Sequence, residues 1–117
     1  MQGLYFFYNH SQDLLARFGD RLLITHLNDN LGIRRLDGDI FWHDDLHLLP
    51  GDGTLDWKEA VRKLNTAKRQ EILNFELKIR PKGDRCKLDL YSKMPLQEYL
   101  QLAYERASQV SKEYWDK

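Results

Sequence analysis

The sequence lacks the features that would place it outside a reducing compartment or in a membrane. Its one cysteine, Cys86, excludes an internal disulfide. No apolar run approaches the roughly 20 residues that span a bilayer. The apolar start, residues 1–8, has neither the basic region nor the cleavage site of a signal peptide. These absences predict a cytoplasmic protein without a membrane partner.

The chain also has no excess of charge of either sign. Its 18 basic and 18 acidic side chains give a formal net charge of zero, which argues against nucleic acid as a partner. Hydrophobic residues make up 42% of the chain, enough for a globular core. Because no linker or repeat divides the 117 residues, we expect a single domain over residues 1–117.

Three stretches have the residue spacing of amphipathic helices. Residues 11–18 begin at a capping serine and stop before Gly19. Residues 56–68 begin with Asp56, which has a glutamate three positions on, as in a capping box. Residues 95–114 begin with a proline and carry apolar side chains every three or four positions. We predict a helix in each stretch.

Short apolar segments separate these helices. Segments 21–27 and 71–79 are typical of strands, and 4–8 is a further candidate. Strands that alternate with helices argue for a parallel sheet. Side chains alternate across a strand, and one face of each clear strand turns polar toward its carboxyl end, at His26 and at Glu76. Ligands bind at that end of parallel strands, so we expect both residues to share a site.

Three polar motifs carry the candidate chemistry. His26 opens the motif H-L-N-D-N and suits a divalent metal, unless it is a hydrogen-bonded buried histidine followed by a turn. Asp45 and His47 lie two positions apart and project to one side of an extended segment, which suits metal binding or proton transfer, or a polar loop. Burial of the Glu76 carboxylate within a strand costs free energy unless the carboxylate binds a metal ion or forms an ion pair, for example with Lys78.

Together these motifs resemble the xylose isomerase-like superfamily, which includes sugar isomerases and epimerases, inosose dehydratase-like proteins and endonuclease IV-like enzymes. The resemblance covers about residues 22–77 and is carried by H-L-N-D-N, D-L-H-L-L-P-G-D-G-T-L-D-W and F-E-L. It implies an α/β fold, a partial (β/α)₈ TIM barrel of two to three C-terminal units with parallel strands. A whole barrel needs roughly 200 residues. We therefore expect a fragment, a truncated product or a piece completed by homo-oligomerisation.

The resemblance also implies roles for individual residues. The expected reaction is metal-dependent proton transfer between neighbouring carbons of a sugar or polyol, as in a sugar (phosphate) isomerase or epimerase. A divalent ion (Mn, Mg, Co or Zn) would be the cofactor. The implied roles are metal binding for His26, Glu76 and Asp45, catalysis for His47, and substrate binding for Asn28 and Arg34.

The sequence leaves two other functions open. The family's remaining metal-binding glutamate and aspartate, and its usual proton-transfer glutamate, have no counterpart here, so activity of this chain alone is an open question. Half a metal site also fits a non-catalytic remnant that self-associates or binds another chain. An endonuclease IV-like phosphodiesterase would need several metal ions and a basic surface, against which the zero net charge counts.

Overall fold

Three helices carry the regular structure of the chain. A computed structural model describes residues 10–31, 46–80 and 89–116. It shows α1 at His10–Phe18 followed by a 3₁₀ turn at Gly19–Arg21, α2 at Trp57–Leu64, and α3 at Leu96–Trp115. All three predicted helices are confirmed, although α2 is shorter than predicted. In these three stretches of chain, no helix has the length and apolar character of a membrane span.

Hydrogen bonds mark both ends of α2. The Asp56 carboxylate accepts the backbone N–H of Glu59 at 3.1 Å, which confirms the predicted cap. At the other end the Lys68 N–H donates to the Gly19 carbonyl at 2.8 Å, outside the helix. The chain therefore leaves the helical path after Leu64, four residues before the predicted end, and turns toward the end of α1.

The predicted α/β fold, a partial (β/α)₈ TIM barrel, is wrong for the described residues. Residues 10–31, 46–80 and 89–116 contain no named strand. Their β pairing consists of two isolated bridges, a parallel one between Leu27 and Phe75 and an antiparallel one between Asp29 and Leu48. Segments 21–27 and 71–79 are thus not strands of a sheet. The candidate strand at residues 4–8 lies outside the described residues.

A side chain ends the parallel pairing on one side of the Leu27 bridge. Leu27 donates its N–H to Asn74 and accepts from Glu76, both at 2.9 Å, which is one step of a parallel ladder. The next step back would require the Asn74 N–H to donate to a backbone carbonyl. It donates instead to the hydroxyl of Thr25 at 3.0 Å. The threonine hydroxyl therefore takes the place of the backbone carbonyl, and the ladder of backbone hydrogen bonds ends there.

A loop ends the pairing on the other side. Asp29 and Leu48 exchange backbone hydrogen bonds at 2.9 Å in both directions. The Lys78 N–H donates to the His47 carbonyl at 3.0 Å. Loop 46–56 thus occupies the backbone partners that a continuing ladder would need, and it carries His47 between the two segments.

Two apolar clusters hold these elements together, and a single segment packs against both. Leu73 and Phe75 contact the helical cluster, whereas Leu77 and Ile79 contact the loop cluster. The buried members of the helical cluster are Leu15, Val61, Leu64, Val110 and Tyr114. Those of the loop cluster are Leu46, Leu48, Leu49, Tyr91 and Tyr99.

The apolar stripe predicted along α3 is only partly buried. Tyr99, Val110 and Tyr114 are buried, whereas Leu96 and Leu100 near the start of the helix are exposed. Helical spacing places residues on one face, but whether that face is covered depends on the neighbouring elements. Tyr99, in the first turns of α3, packs in the loop cluster, whereas its neighbours Leu96 and Leu100 are left exposed.

Candidate functional site

The carboxylate of Asp29 organises the loop that precedes α2. Asp29 is fully buried. Its Oδ1 accepts the N–H groups of Asn30 at 2.9 Å and Leu55 at 3.2 Å. Its Oδ2 accepts the N–H of Gly51 and the indole N–H of Trp57, both at 2.8 Å. Buried polar groups need such partners, and this carboxylate obtains two donors on each oxygen from the protein itself.

The two loop glycines are required by this arrangement. Gly51 has φ of 94°, in the left-handed region that favours glycine. Gly53 lies so close to Asp29 that a Cβ atom added there would overlap the carboxylate. The P-G-D-G motif therefore reflects a backbone that wraps closely around a buried carboxylate.

A second polar cluster fastens the loop to α3. The Tyr91 hydroxyl donates to the Asp52 carboxylate at 2.6 Å and accepts the Leu49 N–H at 3.0 Å. Arg106 donates to the Pro50 carbonyl at 2.6 Å and to Asp52 at 3.3 Å. Burial, together with the Asp52 carboxylate, raises the pKa of Tyr91 above its ordinary value. The tyrosine therefore stays protonated and serves as a donor.

His47 is held in place by residues on either side of it. It is fully buried and has φ of 51°, uncommon for a residue other than glycine. The Leu46 N–H before it donates to the Asn30 side chain at 2.9 Å. Leu48 after it pairs with the backbone of Asp29. These flanking contacts fix both the position and the left-handed backbone of the histidine.

Three of the predicted site residues lie together at Glu76. One carboxylate oxygen, Oε2, lies 3.4 Å from His26 Nδ1 and 3.9 Å from His47 Nε2. The side chains of His26 and Glu76 are 53% and 42% exposed, whereas that of His47 is 0% exposed. The result is a half-exposed carboxylate between an imidazole open to solvent and a buried one. We refer to these three residues as the Glu76 cluster.

The remaining predicted site residues are placed elsewhere or lie outside the described residues. Asn28 is buried, and its side-chain oxygen accepts from the Asn30 amide. Its Nδ2 has no hydrogen-bond partner among the described residues. Asp45 and Arg34 fall in the parts of the chain that are not described. Their predicted roles in metal and substrate binding stay predictions.

The described residues contain only part of the predicted metal centre. Within residues 10–31, 46–80 and 89–116, no group of three His, Cys, Asp or Glu side chains could hold a metal ion. Both imidazoles of the Glu76 cluster face the same carboxylate oxygen. His26, Glu76 and His47 thus form an acid–base cluster, and because the third predicted ligand, Asp45, lies outside the described residues, the divalent metal ion stays a prediction.

Two clefts of the described residues lie away from the Glu76 cluster. One, of about 400 Å³, is lined by residues 22–24, 68–72 and 74. The other, of about 480 Å³, lies between α2 and α3 and has Trp57 and Arg106 among its lining residues. The Glu76 cluster lines neither of these two clefts.

Sequence-based reasoning missed the role of Asp29. The motif suggested turn chemistry or a group that orients His26, whereas the Asp29 carboxylate binds the loop before α2. The available signal was the spacing of Gly51 and Gly53 before a capped helix with a tryptophan in its first turn. Such a motif indicates a backbone that must approach another group closely.

Comparisons with known proteins add one partial match. No protein family and no solved structure matches the chain. It is 40% identical over 63 residues to "Uncharacterized protein y4fM" of Sinorhizobium fredii (strain NBRC 101917 / NGR234). That match covers 54% of this chain and 17% of the relative, so the chain corresponds to a small part of the relative's length. None of these comparisons tests the resemblance to the xylose isomerase-like superfamily.

Proposed function

We propose that the Glu76 cluster is a proton-transfer site for a small sugar or polyol. The observation that carries the proposal is the contact of one carboxylate oxygen with His26 Nδ1 at 3.4 Å and His47 Nε2 at 3.9 Å. Carboxylates and imidazoles are the side chains most used to move protons in catalysis. Two of the three are exposed, so a dissolved substrate can reach them.

The three side chains would divide the reaction between them. Glu76 takes a proton from the carbon next to a carbonyl, and the electron pair of that C–H bond forms a carbon–carbon double bond while a protonated His26 gives its proton to the carbonyl oxygen, which yields an enediol. Glu76 then returns its proton to the former carbonyl carbon, and His26 takes the proton of the other hydroxyl, whose carbon becomes the new carbonyl. One carbon is thereby oxidised and its neighbour is reduced.

His47 would act behind the carboxylate. Because its side chain is fully buried, it cannot touch a solute that arrives from the surface. Its Nε2 instead faces Glu76 from the protein interior and orients the carboxylate. The single cysteine makes the cytoplasm the compartment that we propose for this activity.

Deuterium exchange tests the proposal across a whole class of candidate substrates. The full chain is incubated in D₂O with a panel of ketopentoses and ketohexoses, and exchange at the carbon next to the carbonyl is followed by proton NMR. Each reaction is run with EDTA and again with added Mn²⁺, because a divalent cation was predicted from the sequence. We expect exchange above the buffer rate with at least one ketose.

Two variants make the test specific for the cluster. Glu76→Gln removes the proposed base and should abolish exchange. Glu71→Gln is the matched control, since Glu71 is an exposed glutamate of the same segment and lines the separate 400 Å³ cleft. Failure of the parent chain to exchange above buffer, or equal exchange by both variants, would refute the proposed site.

A second candidate function is self-association, which the surface around the 400 Å³ cleft favours. Leu23 is 82% exposed, Ile24 57% and Ile72 69%. Adjacent positions of an extended segment face opposite ways, so exposure of both Leu23 and Ile24 leaves both faces uncovered by described residues. An extended segment with exposed apolar side chains on both faces can pair with the same segment of a second copy, commonly about a two-fold axis. We propose a second copy of this chain as the partner.

Size-exclusion chromatography with light scattering tests self-association. The parent chain should form a dimer or larger homo-oligomer at micromolar concentration. Ile72→Lys places a charge in the apolar patch and should yield the monomer, whereas Leu100→Lys, at an exposed position of α3, should not. A monodisperse monomer of the parent chain would exclude this candidate.

A further inference from the structure

We infer that Asp29 is a positioning residue that holds His47 against Glu76, an inference that rests on the proposed proton-transfer site. Its carboxylate fixes the loop that carries the histidine, because it accepts the N–H groups of Gly51 and Leu55 in the loop and of the Trp57 indole directly after it. Its backbone also pairs with Leu48, the residue after His47.

The two imidazoles of the Glu76 cluster are held by separate parts of the structure. His26 directly precedes Leu27, whose backbone bridges to Phe75 next to Glu76. That bridge involves no atom of the loop. His47 reaches the same carboxylate only because loop 46–56 enters between the two segments. Loss of the Asp29 carboxylate should therefore move His47 away and leave the contact between His26 and Glu76 in place.

Substitution of Asp29 by asparagine tests this inference because the shape of the side chain is retained. Each carboxylate oxygen accepts two N–H donors, so an amide nitrogen at either position would face two donors and accept from neither. No flip of the amide can satisfy the loop. Asp29→Asn should therefore release the loop with little change in volume.

A milder variant tests the inference even if Asp29→Asn unfolds the protein. Trp57→Phe removes the indole N–H that donates to Asp29 at 2.8 Å and retains an aromatic ring to pack near Phe75. Thr54→Val is the matched control in the same loop, because the Thr54 hydroxyl donates to the Asn30 carbonyl and not to the Asp29 carboxylate.

The measurement is the response of each imidazole to loss of the Glu76 charge. Nitrogen-15 NMR of the histidine rings is recorded at one fixed pH for each protein with and without Glu76→Gln. In the parent chain and in Thr54→Val, Glu76→Gln should shift the ring signals of both His26 and His47. In Asp29→Asn the His47 response should be lost and the His26 response retained. Trp57→Phe should reduce the His47 response selectively.

The pattern of responses decides the inference. A full His47 response in Asp29→Asn would overturn it. Loss of both responses in Asp29→Asn would indicate general unfolding, and Trp57→Phe then decides. If the His47 response in Trp57→Phe falls no further below its parent value than the His26 response does, the inference is overturned. Deuterium exchange is measured separately on the same proteins. If the parent chain shows no exchange but Asp29→Asn loses the His47 response selectively, Asp29 is a positioning residue and only the proton-transfer role of the Glu76 cluster is refuted.

Discussion

Asp29 and Glu76 are two carboxylates on neighbouring segments, and their surroundings give them different tasks. Asp29 is fully buried and accepts four N–H donors from the protein. Glu76 is 42% exposed and faces two imidazoles. A carboxylate with its lone pairs engaged by backbone and indole donors stabilises a loop. A carboxylate with titratable neighbours and access to solvent can exchange protons.

The comparison also separates the parts of the H-L-N-D-N motif. His26 contacts Glu76 on the exposed side of the chain, and Asp29 binds the loop inside the protein. The motif therefore belongs to two structures at once, a surface cluster and a buried anchor. Variants at the anchor should change stability strongly, whereas variants at His26 and Glu76 should change activity with little effect on stability.

The largest expected effect is that of Asp29→Ala. This change leaves four N–H donors, one buried and three partly buried, without their acceptor, and an unsatisfied buried donor costs about 1–3 kcal/mol. We expect the free energy of unfolding to fall by about 4 kcal/mol, near the upper limit for single substitutions. Urea denaturation measures this value. Asp20→Ala, at an exposed acidic position, is the control, and an equal loss in both variants would contradict the anchoring role.

The next effect is that of Gly53→Ala. A Cβ atom at this position overlaps the Asp29 carboxylate, so either the loop or the carboxylate must shift. Overpacking of this kind typically costs about 1–3 kcal/mol, and we expect about 3 kcal/mol from urea denaturation. Thr54→Ala in the same loop should cost about 1 kcal/mol, the contribution of one hydrogen bond. A loss for Gly53→Ala no larger than that for Thr54→Ala would show that the loop does not wrap Asp29 closely.

The helices were predictable from the sequence, whereas the pairing of the segments between them was not. The cap at Asp56 and the apolar spacing of α3 depend on residues close in the chain. The end of the parallel pairing depends on the hydroxyl of Thr25 and on entry of the loop that carries His47. These are contacts over distances of tens of residues along the chain, so no local pattern encodes them.

The site was predictable only in part, for the same reason. Alternation of side chains indicated that His26 and Glu76 lie on one face, and they lie 3.4 Å apart. Burial of His47 could not be predicted from a polar loop sequence. Neither could the four donors of Asp29, since three of them come from positions 51–57, more than 20 residues along the chain.

Tyr91→Phe should have an intermediate effect with a distinctive pH dependence. The variant leaves the Leu49 N–H without its acceptor and removes one of the two donors to the Asp52 carboxylate, which should cost about 2 kcal/mol at neutral pH. Burial raises the pKa of Tyr91 above its ordinary value of 10.0, so its contribution is complete below pH 10 and is lost as the pH rises further. Urea denaturation at pH 7–11 should therefore show a steeper alkaline loss of stability in the parent chain than in Tyr91→Phe. Parallel curves would contradict the role assigned to this hydroxyl.

Glu76→Gln should have the smallest effect on stability and thereby sharpens the comparison with Asp29. Its carboxylate is 42% exposed, and ion pairs at such positions contribute at most about 1 kcal/mol because water competes for both partners. We expect the free energy of unfolding to change by no more than about 0.5 kcal/mol, as for the control Glu71→Gln. Urea denaturation of both variants at pH 7 measures the difference. A loss approaching that of Asp29→Ala would mean that Glu76 is a second structural anchor and would contradict the different tasks assigned to the two carboxylates.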